Sequence, residues 1–147
     1  MIYTEMTKKA MKIAYNAHNG QMDKGGIPYI FHPYHLAEQM KTEETVITAL
    51  LHDIIEDTPL TISWLREQGF SESVLEALTL LRHETDMPYM EYIQRLQNNK
   101  IACQVKLEDL KHNSDISRID QMDDRDRKRL KKYKEAIAYL ETKSIIS

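Results

Sequence analysis

Between Val46 and Ile55 the chain is apolar almost all the way round a helix, through Val46, Ile47, Ala49, Leu50, Leu51, Ile54 and Ile55. The same stretch carries His52 and Asp53 and ends in Glu56 and Asp57. A helix that is apolar on nearly every side has to lie in the middle of a packed domain, so the other elements must surround this one. Carboxylates at the end of such a core are costly, because charges leave water only when something compensates them. The segment thus constrains the fold and raises the question of what neutralises its acids.

Apolar residues recur at helical spacing nearly throughout the chain, strand-like alternation is scarce, and only four Gly and four Pro interrupt the pattern. The expected fold is all-α, a bundle of about seven to eight helices in one domain spanning 1–147, a length that buries a sizeable core without disulfides. The first helix is expected from Tyr3 to His18, stopping before Asn19-Gly20. A loop with Gly25-Gly26 and Pro28 follows, whose backbone can approach a ligand closely. Helices are then expected from about His32-Pro33, over Glu43–Ile55, over Thr61–Gln68 before Gly69, and from Ser71 to Leu81. Three more run from Pro88 to Gln97, from Ile101 to His112, and from Asp124 to Thr142, the last burying Leu130, Tyr133, Ile137 and Leu140.

Composition narrows the function classes. The net charge of −3 gives no electrostatic footprint for nucleic acid, and the run DDRDRKRLKKYK (Asp123–Lys134) reads as a solvated helix face with acids leading and bases following. No apolar run approaches the roughly 20 residues needed to span a bilayer, and MIYTEMTKKAMKIAY does not look like a signal peptide. The single cysteine, Cys103, lies among Ile101, Ala102 and Val105 and reads as a small buried residue in a reducing compartment. A cytoplasmic protein is expected, without membrane or nucleic-acid partners.

In one continuous helix residues four apart share a face, so His52 would sit over Glu56 and Asp53 over Asp57. Carboxylates crowded in this way repel one another unless a cation neutralises them, and a metal resolves the conflict. Imidazole plus carboxylate suits Mn²⁺, Mg²⁺, Fe²⁺ or Zn²⁺. Further donors must come from elsewhere, and the candidates are His32 after the glycine loop and Asp109 in VKLEDLKHN. Singly, a His beside Pro is a capping residue and an Asp in a charged helix is solvated; with His52-Asp53 the set is far more specific than any member. His35 and His112 are further nitrogen donors at helical spacing from these, and His18 is a candidate pocket residue. Trp64, Tyr89 and Tyr92 read as core.

The set His, His-Asp, Asp resembles that of the HD superfamily of metal-dependent phosphohydrolases. AHNGQMDKGGIPYIFHP (Ala17–Pro33), ALLHDIIEDT (Ala49–Thr58) and KLEDLKHN (Lys106–Asn113) further resemble, in order, three signatures of the alarmone hydrolase domain of the RelA/SpoT family. The resemblance implies an HD-domain helical bundle in which His32, His52, Asp53 and Asp109 hold one divalent ion, characteristically Mn²⁺. It implies Glu56 and Asp57 as catalytic acids acting on a water. It also implies Lys24, Lys106 and Asn113 as substrate contacts, with Lys106 equally able to anchor the carboxylates and Asn113 to cap its helix. The implied reaction releases pyrophosphate from the 3′ position of guanosine tetra- or pentaphosphate and leaves GDP or GTP. With no synthetase or regulatory segment after the last helix, a stand-alone hydrolase is expected.

The chain also departs from that pattern. Asp23 stands where the family has an Arg that packs on guanine, and an acid cannot stack as a guanidinium does; Asp23→Arg is therefore expected to improve guanosine binding. Glu108, Leu110, Lys111 and the following SDISRI depart as well. Two other readings stay open: the same chemistry on another phosphorylated nucleotide, such as NADPH or a nucleoside monophosphate, or a non-catalytic nucleotide-binding helical module.

Overall fold

Helix α3 (Glu43–Leu51) holds the centre, with every residue from Thr45 to Leu51 buried. The computed structural model describes residues 1–146, with side chains through residue 142. Around α3 pack α1 (Glu5–Ala17), α2 (Phe31–Glu38), α6 (Glu72–Leu81) and α8 (Lys100–Asn113). Helix α5 (Ile62–Glu67) packs on α6, and α7 (Tyr89–Leu96) and α8 carry the long α9 (Asp124–Ile146). Among the described residues there is no strand, only an isolated bridge between Met22 and Pro28 that closes the glycine loop. No described helix is long and apolar enough to cross a membrane.

The helix starts follow from local chemistry. Thr4 and Thr42 each accept the N–H three residues on, from Thr7 at 3.1 Å and Thr45 at 3.2 Å, while the Thr7 and Thr45 hydroxyls accept the cap N–H in return. Thr61, Ser71 and Asn99 cap α5, α6 and α8 in the same way with their side-chain oxygens. Leu36, Leu50, Leu51, Leu65, Leu75, Leu78 and Leu96 are fully buried, each contributing about 1.5–3 kcal/mol of apolar burial. Cys103 is buried and free.

The eight expected helices are all present, and the difference lies in the third. Instead of running on to Ile55, it breaks at His52-Asp53 and resumes as α4 (Ile54–Asp57). The His52 Nδ1–H donates to the Ala49 carbonyl at 2.7 Å, the acceptor that a continuing helix offers to the Asp53 N–H. Asp53 accordingly takes φ −100°, ψ 0°. The charge run in α9 differs too, because Asp126 is buried and bonded to Lys24. Leu140 is buried as expected, whereas Ile137 is half-buried against the core and Leu130 and Tyr133 are half-buried where they line cavities.

Candidate metal centre

The break at the end of α3 turns His52 inward beside α8, while α2 presents His32 from the other side. Candidate ligand atoms of His32, His52 and Asp109 all lie within 4.8 Å of one another, and all three residues are buried. His32 Nε2 is 2.8 Å from Asp109 Oδ1, and His52 Nε2 is 3.5 Å from the same oxygen. Asp53 joins them through Oδ2, 2.9 Å from His52 Nε2, and the Tyr29 hydroxyl donates to that oxygen.

The donor chemistry fits a cation. With its Nδ1–H donated to the Ala49 carbonyl, His52 turns its buried Nε2 toward Asp53 and Asp109, where it meets either a proton or an ion. A lone pair facing two carboxylates repels them unless positive charge stands between. Burial works against a charged His52, yet Asp53 and Asp109 outweigh it and raise its pKa well above the histidine range. The acids select positive charge at that spot. No thiolate is near, so nitrogen and oxygen donors favour a hard or borderline divalent ion.

Asp109 is the hub. Its Oδ2 accepts from Lys106 Nζ at 2.9 Å, and its Oδ1 from Asn113 Nδ2 at 3.1 Å. Burial pushes its carboxyl up, and Lys106, then His32 and His52, hold it well below the usual carboxylate range. Lys106 thus anchors the Asp109 carboxylate. Asn113 reaches back to Asp109 and also lines a second cavity. Lys24 is bonded to Asp126.

Glu56 lines a cavity of about 200 Å³ together with His52, Asp53, Asp109, Lys106, His83 and Lys132. The His83 N–H donates to its Oε1 at 2.5 Å, which aims the carboxylate. Asp57 is exposed and is not among the residues lining that cavity; burial, then Asp53 and Glu56, raise its carboxyl above the usual range. His18 is buried and packs its ring 4.9 Å from Tyr29. Tyr92 belongs to the core, Trp64 and Tyr89 are half-buried and pack against it, and both tyrosines also line the metal cavity.

Tyr29, Lys132 and His112 contribute beyond what the sequence signals. Tyr29 shows no signal beyond lying three residues before His32. Lys132, over the Tyr89 ring at 4.3 Å, was hidden inside the charge run. His112, in sequence a further nitrogen donor, places its Nδ1 2.7 Å from His32 Nδ1, and its ring is flanked by His32 and His35. Burial, then Arg118, His32 and His35, lower the His112 pKa to about 4, so it is neutral and can accept a proton. With His32 Nε2 holding an ion, its Nδ1–H would donate to His112 and fix the ring. His112→Ala is expected to weaken Mn²⁺ binding by about 10–100-fold in a calorimetric titration; unchanged affinity would place the orientation of His32 elsewhere.

The HD domain family model matches residues 10–137. The chain is 47% identical over 73 residues to the bifunctional (p)ppGpp synthase/hydrolase SpoT of Escherichia coli strain K12, covering 47% of this chain and 10% of that one. It is 41% identical over 76 residues to a guanosine-3′,5′-bis(diphosphate) 3′-pyrophosphohydrolase of Aquifex aeolicus, covering 49% and 11%. The matches thus span about a tenth of the length of these relatives. A solved structure described as "A metazoan ortholog of SpoT hydrolyzes ppGpp and plays a role in starvation responses" superposes with a TM-score of 0.77 at 18% identity, over 95% of this chain and 87% of that one. An all-helical bundle, buried His and Asp donors converging on one point, and a family match over most of the length lead to one conclusion: the chain belongs to the HD-domain family.

Proposed function

We propose that this protein is a divalent-metal phosphohydrolase that removes the 3′-pyrophosphate of guanosine tetra- or pentaphosphate, leaving GDP or GTP. The carrying observation is the convergence of His32, His52 and Asp109 within 4.8 Å, with Asp53 beside them and Glu56 in the same cavity. The named activities of the SpoT and Aquifex relatives supply the substrate class.

His32, His52, Asp53 and Asp109 would hold one ion, which we take to be Mn²⁺. Bound there, it supplies positive charge that acidifies a water and neutralises phosphoryl oxygens. The protein's own residues do the rest. Glu56, aimed by the His83 N–H, takes a proton from the attacking water as general base, with Asp57 as the second acid of the pair. The water oxygen bonds to the phosphorus attached to the 3′ oxygen, and the bond between them breaks. The proton held by Glu56 is then available to the departing 3′ oxygen. Lys106 keeps Asp109 ionised and in place. Lys132 brings an ammonium to the cavity where the phosphates would lie.

The test is product analysis. Purified, Mn²⁺-supplied protein given guanosine tetraphosphate is expected to release GDP and pyrophosphate in equal amounts, and a chelator is expected to abolish the release. Intact guanosine tetraphosphate, with turnover of NADPH or a nucleoside monophosphate instead, would move the substrate and keep the metal centre.

A further inference from the structure

Beside the metal cavity lies a second one of about 210 Å³ whose chemistry differs. Ile116, Ile119, Met122, Leu130 and Tyr133 give it apolar walls, and four of its polar residues are joined in two pairs, with Asn113 and Arg129 beside them. Arg118 Nη2 donates to Asp23 Oδ2 at 3.3 Å, and Lys24 Nζ donates to Asp126. Arg118 is held at a second point, since its Nη1 donates to the His112 carbonyl at 2.7 Å. Its backbone is also seated: a Cβ on Gly25 would come within 2.7 Å of the Arg118 carbonyl, so the glycine lets the Ile116–Arg118 turn pack directly on the loop.

A cation already neutralised by a carboxylate is a poor phosphate ligand, and two of the three basic residues lining this cavity are matched by acids. Apolar walls with two internally neutralised donor-and-acceptor pairs, one of them held at a second point, suit a flat, uncharged heterocycle with a polar edge. Guanidinium is well matched to such a group, through both its fork of donors and its planar face. The metal cavity, with Lys132 and the ion site, is the phosphate side, and Tyr133 lines both cavities.

We propose that the Asp23–Arg118 pair is the base-reading element of this site: Arg118, from the turn after α8, supplies the base-facing guanidinium, and Asp23 holds it in place. This rests on the nucleotide-hydrolase reading and names the part of the site that meets the purine. It also reverses an expectation from the sequence. Asp23→Arg would set two guanidinium groups against each other rather than restore a missing contact, so it should weaken nucleotide binding.

The test uses Mn²⁺-loaded full-length protein titrated calorimetrically with GDP and, separately, with inorganic pyrophosphate. Arg118→Ala is expected to weaken GDP binding by about tenfold or more and leave pyrophosphate binding unchanged. Arg118→Lys, which keeps charge but loses the fork, should recover only part of the affinity. The KM for guanosine tetraphosphate should rise in Arg118→Ala with kcat nearly constant. Equal GDP affinity in wild type and Arg118→Ala would overturn the proposal, as would a wild type that does not bind GDP. A parallel loss of pyrophosphate binding would also overturn it, by showing a structural staple. Failure of the wild type to release pyrophosphate from guanosine tetraphosphate would instead sink the hydrolase reading, while the GDP titration still decides the role of Arg118.

Discussion

Replacing Glu56 by glutamine is expected to lower kcat for pyrophosphate release by about two to four orders of magnitude, the usual range for a lost general base, with ion affinity unchanged. The choice of glutamine follows from the geometry. Glu56 Oε1 accepts the His83 N–H at 2.5 Å, and a carboxamide oxygen can accept that bond in the same place, so the loop after α6 stays put. What disappears is the capacity to take a proton. A structural residue would instead show a lower melting temperature, so calorimetric Mn²⁺ binding and thermal melting should accompany the kinetics. Near-normal kcat in a folded, metal-loaded Glu56→Gln protein would assign the base to another group.

Asp109→Ala is expected to affect folding and ion binding together. The carboxylate meets His32 at 2.8 Å, Lys106 at 2.9 Å and Asn113 at 3.1 Å, and the Lys106 side chain is only 15% exposed. Removing one member of a buried pair leaves the other charge uncompensated, at a cost of about 3–5 kcal/mol. For a chain of this length that lowers the melting temperature by roughly 10 °C. Mn²⁺ should no longer raise it, because the hub of the ligand set is gone. Asp109→Asn keeps an acceptor for Lys106 and should recover part of the stability without restoring tight ion binding. Strong stabilisation of Asp109→Ala by Mn²⁺ would place the ion elsewhere.

The bundle was legible because helical periodicity and Thr, Ser and Asn caps are local signals, written within a few residues of where they act. The end of α3 was not. Nothing in ALLHDIIEDT says that an imidazole will take the Ala49 carbonyl and split the helix there. His52-Asp53 announced a metal as a crowded pair on an apolar stretch, whereas the joining of His32 to Asp109, 77 residues apart, rested on the family resemblance. The cavity walls were least visible. Asp23 meets Arg118 across 95 residues and Lys24 meets Asp126 across 102, so neither acid shows its partner locally and Asp126 reads as part of a solvated face. A charge in a run of charges carries no mark of the partner that tertiary packing will give it.

The central claim is that one ion, held by His32, His52, Asp53 and Asp109, is what makes hydrolysis possible. It is tested most directly by titrating metal-free protein with Mn²⁺ and following bound ion and pyrophosphate release from guanosine tetraphosphate in the same samples. The expected result is release that rises in step with occupancy and levels off at one ion per chain. Release without any divalent ion, or none from a fully loaded chain, would contradict it.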